Sequence, residues 1–217
     1  MTPTKTGTPR LPASDRRQQL LEIAMDFFSR KGFEGTTTKE IAAAAGVTEA
    51  IIFRHFPSKQ ALYTAVLDYK HESPEMQDWL AKSKDCMDRK DDVGLFRLIA
   101  RTVLEAYRRD ARYQRVLFFA ALEGNESALA HHRQQSIPMF EQLCQYVAQR
   151  QNEGALRRLD PGLILSAIAG MATQYAMMTE MFGFTARLPV EQVTESFVSI
   201  MMNGIQAPTG AIQGKNQ

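Results

Sequence analysis

The chain has 217 residues, 44% of them hydrophobic and 23% charged, the balance of a soluble globular protein long enough for one large or two small domains. Its two cysteines, Cys86 and Cys144, lie in unrelated segments without CxxC spacing, which argues against a disulfide framework or a zinc site and for a reducing, cytoplasmic setting. The net charge of +2 is unevenly placed: residues 1–60 hold nine Lys/Arg against six Asp/Glu, and the remainder seventeen against eighteen, a mild basic bias at the N-terminal end that suits nucleic acid without proving it.

Residues 1–13 are rich in Thr and Pro and are expected to form a disordered polar arm carrying Lys5 and Arg10. They lack the apolar core of a signal peptide, and no stretch is expected to reach the ~20 apolar residues that span a bilayer. A first helix is predicted from about Ser14 to Lys31, with Leu20, Leu21, Ile23, Ala24, Phe27 and Phe28 recurring at helical spacing.

The stretch Thr37 to Lys59 reads as two short helices joined by a tight turn. Thr37 and Glu40 have the spacing of a capping box. Gly46 ends that helix by supplying a left-handed residue at no steric cost. Thr48 is a fresh N-cap, Ile51, Ile52 and Phe56 anchor the second helix, and Pro57 stops it. Helix, glycine turn, helix is the arrangement whose second helix enters a DNA major groove. Thr38, Lys39, Arg54, His55 and Lys59 gather polar and basic groups at one edge of it, the types that contact phosphate.

The run TTTKEIAAAAGVTEAIIFRHFPSKQAL resembles the N-terminal domain of the tetracycline-repressor (TetR) family of bacterial transcriptional regulators. The likeness is dense over roughly residues 14–70; beyond them only length and helical layout are similar. Two positions depart from the family pattern: Phe53 stands where Tyr is usual, which removes a phosphate-bonding hydroxyl, and Ala50 where Gly or Pro is common. Carried onto this sequence, the resemblance implies that Thr38, Lys39, Thr48, Glu49, Ala50, Phe53, Arg54, His55 and Lys59 form the DNA face. Glu49 is suited to accept from a cytosine amino group and Ala50 to pack on a thymine methyl.

Ser58 caps a connecting helix over 58–72, and Ser73-Pro74 opens the next segment. Residues 84–92, KDCMDRKDD, read as a charged connector. Helices are then predicted over Gly94–Arg109, Tyr113–Leu122, Ser127–Glu153 (interrupted or kinked at Pro138), Asp160 to about Phe182, and a last one after Pro189. The adjacent His131 and His132 point about 100° apart on a helix and make a poor metal site.

The expected fold is all-α: a three-helix DNA-binding head at 14–57, the connecting helix at 58–72, a larger effector-binding and dimerisation domain at 73–204, and a loose tail at 205–217. The resemblance implies a homodimer that binds double-stranded operator DNA, with Leu163, Ala167, Gly170, Met171, Val193, Phe197 and Ile200 as candidate interface residues. It also implies a pocket for a small hydrophobic effector. Eleven methionines and Phe118-Phe119 suit an apolar cavity, whose candidate lining is Phe96, Ile99, Phe118, Phe119, Met139, Leu143, Tyr146, Tyr175 and Met178. A plain hydrophobic core explains the same residues. No cofactor, metal site or membrane partner is expected. The expected function is a transcriptional regulator, a repressor released from a palindromic operator by its effector; the alternatives are a ligand-blind or activating regulator and an all-α carrier or enzyme. Against an enzyme, the sequence carries no Ser/His/Asp set, paired carboxylates, HExxH or Gly-rich phosphate loop.

Overall fold

The computed structural model describes residues 12–184 and 187–203; Lys5, Arg10 and the expected tail lie outside them. Among the described residues the chain is all helical: α1 (Ala13–Lys31), α2 (Thr38–Ala44), α3 (Glu49–His55), α4 (Lys59–His71), α5 (Pro74–Asp88), α6 (Asp92–Arg109), α7 (Arg112–Leu122), α8 (Glu126–Asn152), α9 (Pro161–Ala176), a π-helical turn (Met177–Met181) and α10 (Val190–Asn203). The chain divides into two compact units.

The first unit comprises residues up to Ser73 together with Arg112–Gln134. This differs from the expected boundary, which left 112–134 in the C-terminal domain. The reason is packing. Val116 and Ala120 of α7 and Ala128 of α8 are fully buried in the same cluster as Leu20, Phe28, Ile41, Ile52 and Leu62. At its centre Tyr63 lies edge-on to Phe28 and Phe33, with ring centroids 4.7 and 5.3 Å away, and its hydroxyl donates to the Val116 carbonyl at 2.9 Å. A buried Tyr hydroxyl with a carbonyl partner is fixed as well as apolar. The α4 side chains Leu62, Tyr63, Val66 and Leu67 are all buried in this cluster.

The second unit comprises Pro74–Ala111 and residues from Gln135 onward. Here α6 packs on α5, α9 and α10, and α9 on α10, around Leu95, Phe96, Ala100, Leu104, Ile168 and Ala172. Asp92, only 9% exposed, receives the Tyr146 hydroxyl at 2.6 Å and the Arg150 guanidinium at 2.9 and 3.0 Å. A buried charge of this kind is tolerable because it is both paired and hydrogen-bonded.

Three expectations are corrected. The charged segment 84–92 is not a connector: α5 runs on to Asp88, supported by Asp78–Lys82 and Lys84–Asp88 pairs one turn apart at 2.6 and 2.5 Å. Of the two expectations for Pro138, interruption or a kink, the interruption does not occur: α8 runs continuously from Glu126 to Asn152. And Pro161–Met181 is a 21-residue helix long and apolar enough, by length and composition, to cross a membrane, with 33% of it buried within the chain. Its small and branched residues Leu163, Ala167 and Gly170 face outward, so its apolarity is not spent on the chain's own core alone.

Candidate nucleic-acid interface and apolar cleft

The helix-turn-helix is held by short-range bonds. Thr37 accepts from the Glu40 amide at 3.2 Å while Glu40 accepts from the Thr37 amide at 3.0 Å, a complete capping box. The Glu40 carboxylate also takes the Lys31 ammonium at 2.6 Å. Lys31 and the two Thr37 bonds hold its pKa down at about 2. Gly46 has φ of +65°, the left-handed conformation that lets the chain turn into α3. Thr48 occupies the N-cap position of α3, but its side chain makes no capping bond. In its place Thr38 donates from α2 across to Glu49 of α3 at 2.5 Å, tying the two helices together.

That bond redefines two of the candidate DNA residues. Thr38 and Glu49 are half-buried and engaged with each other, whereas Lys39, Thr48, Ala50, Phe53 and Arg54 are exposed. Lys59 is half-buried and its ammonium lies 4.2 Å from the centroid of the Phe33 ring, a cation–π contact that fixes where the charge sits. His55 is half-buried with Nε2 covered and without a hydrogen-bond partner. Burial, then the nearby charges of Arg54, Arg17 and Arg16, push its pKa below the ordinary value of 6.5. Arg17 itself stacks on Phe56, 5.2 Å from the ring centroid. Three arginines from α1 and α3 thus make a positive field around a neutral imidazole, which is the electrostatic profile of a phosphate-binding edge. Arg16 and Arg17 stand in the first turns of α1, and only the fold sets them beside His55.

A second device orients the head. Glu123, at the end of α7, accepts from the Phe33 and Glu34 amides at 2.8 and 3.2 Å. Gly32, with φ of +71°, makes room for it: a Cβ there would stand 2.1 Å from the carboxylate oxygen. Nothing in the local sequence of either segment announces a contact between residues 90 apart.

In the second unit an apolar cleft of about 320 Å³ opens between four helices. It is lined by Met76 and Trp79 of α5, Ile99, Thr102 and Val103 of α6, Met139, Phe140 and Leu143 of α8, and Leu165, Ser166 and Ala169 of α9. Of the candidate lining, Ile99, Met139 and Leu143 are here. Phe96 is 2% exposed in the core, Tyr146 is committed to Asp92, Tyr175 packs edge-on to Phe197 at 6.0 Å, and Met178 sits half-buried in the π-helical turn. Phe118 and Phe119 are corrected outright: they belong to the first unit, where Phe118 is 40% exposed and Phe119 closes on Gly32. Of the candidate interface residues, Leu163, Ala167, Gly170 and Ile200 are exposed, Met171 and Phe197 half-buried, and Val193 is in the core. Among the described residues no cluster of three or more His, Cys, Asp or Glu could hold a metal.

Among the described residues the chain is all-α, with a capped helix-turn-helix in one unit and an apolar cleft in the other. Residues 20–66 match the family described as "Bacterial regulatory proteins, tetR family". The regulator TtgR of Pseudomonas putida is 32% identical over 140 residues, covering 64% of this chain and 59% of TtgR. The regulator RutR of Escherichia coli is 27% identical over 207 residues, covering 93% of this chain and 95% of RutR. Both relatives are named as HTH-type transcriptional regulators. The same fold is found in FadR of Bacillus subtilis, described in complex with stearoyl-CoA, with a TM-score of 0.69 at 15% identity over 87% of this chain and 99% of that one. Residues 20–66 thus carry the tetR-family domain, and the rest of the chain is similar in fold and length to regulators that share it.

Proposed function

We propose that the protein is a dimeric transcriptional regulator that binds a palindromic operator through α2 and α3 and is released from it when a small hydrophobic effector fills the cleft of the second unit. The observation that carries the reading is the head: a helix-turn-helix braced by the Thr37–Glu40 box and the Thr38–Glu49 bond, presenting Lys39, Ala50, Phe53 and Arg54 to solvent beside the arginine-ringed His55. Support for a homodimer comes from the outward stripe of α9, where Leu163 is 70% exposed, and from Ile200 on α10 at 43%. An apolar helix face of that kind, alongside small Ala167 and Gly170, is suited to a second copy. A head acting on operator DNA works in the cytoplasm. The stearoyl-CoA bound by one structural neighbour is in keeping with a hydrophobic effector.

Selection of bound DNA from a randomised pool tests the reading. The expected product is an inverted repeat with half-site centres about one helical turn, ~34–36 Å, or a multiple apart, and binding that weakens steeply with salt. A pool that returns no consensus, or retention insensitive to salt, overturns it.

A further inference from the structure

Resting on the effector reading above, we infer the chemical class of the ligand: an uncharged, largely hydrocarbon molecule carrying one hydrogen-bond acceptor for the indole of Trp79, and neither a carboxylate nor a coenzyme A thioester.

The cleft wall supplies the first argument. Its volume of about 320 Å³ lies at the small end of ligand sites, and its lining is apolar apart from the neutral groups of Thr102, Ser166 and Trp79. Among the described residues no Lys, Arg, His, Asp or Glu lines it. An ionised ligand moved there from water loses its hydration and gains no counter-charge, a cost far larger than any apolar contact offsets.

Trp79 supplies the second. The side chain is 8% exposed, and its Nε1 is buried without a hydrogen-bond partner. A buried donor left unpaired costs stability, and a group that pairs with it recovers that cost. The indole borders the cleft, and the inference places a carbonyl or ether oxygen of a ligand bound there on this donor.

The neighbouring groove supplies the third, because its cations are the groups beside the cleft that could receive the phosphates of a coenzyme A thioester. This groove, of about 530 Å³, shares Trp79 and Thr102 with the cleft and contains Lys82, Arg97 and Arg101. Each cation is already neutralised: Lys82 by Asp78 at 2.6 Å, Arg97 by Glu195 at 2.5 Å, Arg101 by Glu105 at 2.7 Å. Asp78, Asp85 and Glu105 also line the groove. Cations matched by carboxylates offer no net field to a polyphosphate.

Three probes of equal heavy-atom count separate the possibilities: 4-phenylbutan-2-one, its hydrocarbon isostere isopentylbenzene, and 3-phenylpropanoate, with octanoyl-CoA as a fourth arm. Binding is measured on the full chain by calorimetry, and by the fluorescence of Trp79, which is the chain's one tryptophan. The ketone is expected to bind about three- to ten-fold tighter than the hydrocarbon and at least ten-fold tighter than the carboxylate. In Trp79→Phe the ketone–hydrocarbon gap closes while both still bind. Thr102→Lys, an independent variant, reverses the order of ketone and carboxylate. A carboxylate or octanoyl-CoA that matches or exceeds the ketone in the wild-type chain overturns the assignment, as does failure of all four probes to bind at millimolar concentration. A gap that survives Trp79→Phe removes the indole as donor. None of these measurements uses DNA, so a ketone that binds without releasing the operator leaves the ligand class standing and overturns the switch instead.

Discussion

His55 is where the proposed DNA face would couple charge to binding. Burial and three arginines hold its pKa below 6.5, so the ring is neutral at pH 7. A DNA phosphate brought against Arg16, Arg17 and Arg54 would cancel much of their field and raise that pKa. The complex would then bind more protons than the free protein, and by linkage affinity must rise as pH falls through the histidine range. Operator titrations between pH 8 and 6 are expected to show this rise, and His55→Gln to lose it; an unchanged pH slope in the variant would remove His55 from the phosphate edge. His71 and His132, both hydrogen-bonded to the Tyr113 hydroxyl at 3.1 and 3.2 Å, are also depressed below 6.5, chiefly by burial. Their effect on stability has a definite sign. With folded values below the unfolded ones, the unfolded chain binds more protons near and below pH 6.5, so the stability they contribute is present above that pH and lost as pH falls through the folded values. A His71→Gln, His132→Gln double variant is therefore expected to unfold with a flatter pH dependence between 7 and 5. At Glu49 the Thr38 bond sets two roles against each other: Glu49→Ala is expected to relax preference at one base pair per half-site by roughly 1–3 kcal/mol if the carboxylate also reads a base, and to leave the selected consensus unchanged if it only braces the helices.

At the scale of helices, what was legible in the sequence is what is local. Thr37 with Glu40, Gly46 and Ser58 act within three or four residues, and their spacing alone announces the ends of α2, α3 and α4. The α5 boundary was missed because a run of mixed charges looks the same as a wet loop or as a helix laced by pairs one turn apart; the Asp78–Lys82 and Lys84–Asp88 pairs decide it. The cleft was only a third legible for a different reason. Helical periodicity tells which side of α6 or α8 is apolar, but not which neighbour it meets. Ile99 and Leu143 therefore line the cleft, whereas Phe118 and Phe119 lie in the other unit and Trp79, which the periodicity does not single out, is part of the lining. Long-range polar contacts such as Tyr146–Asp92 and Glu123–Phe33 leave no periodic trace at all. The last of these is testable: Glu123→Ala strips a charged acceptor from two amides next to the helix-turn-helix and is expected to lower head stability by about 1.5–3 kcal/mol in chemical denaturation. A loss no larger than that of an exposed substitution would show that water replaces the carboxylate.

For the whole molecule, the decisive feature is the outward face of α9. Leu163, Ala167 and Gly170 make a nearly polar-free stripe on a helix apolar enough to cross a bilayer, and Ala167→Glu is expected to give a monomer by light scattering with much weaker operator binding. A variant that remains dimeric would move the contact elsewhere. A dimer proposed to form on that stripe would also be sensitive to its own dosage. If two copies share that face, each ten-fold dilution removes about 1.4 kcal/mol from the association term that holds the pair together. The thermal midpoint then falls on dilution, and so does the fraction of chains able to grip both halves of a site at once. A cell that makes few copies would read its operator with a protein that is partly taken apart, so that its abundance sets the threshold of response alongside the effector.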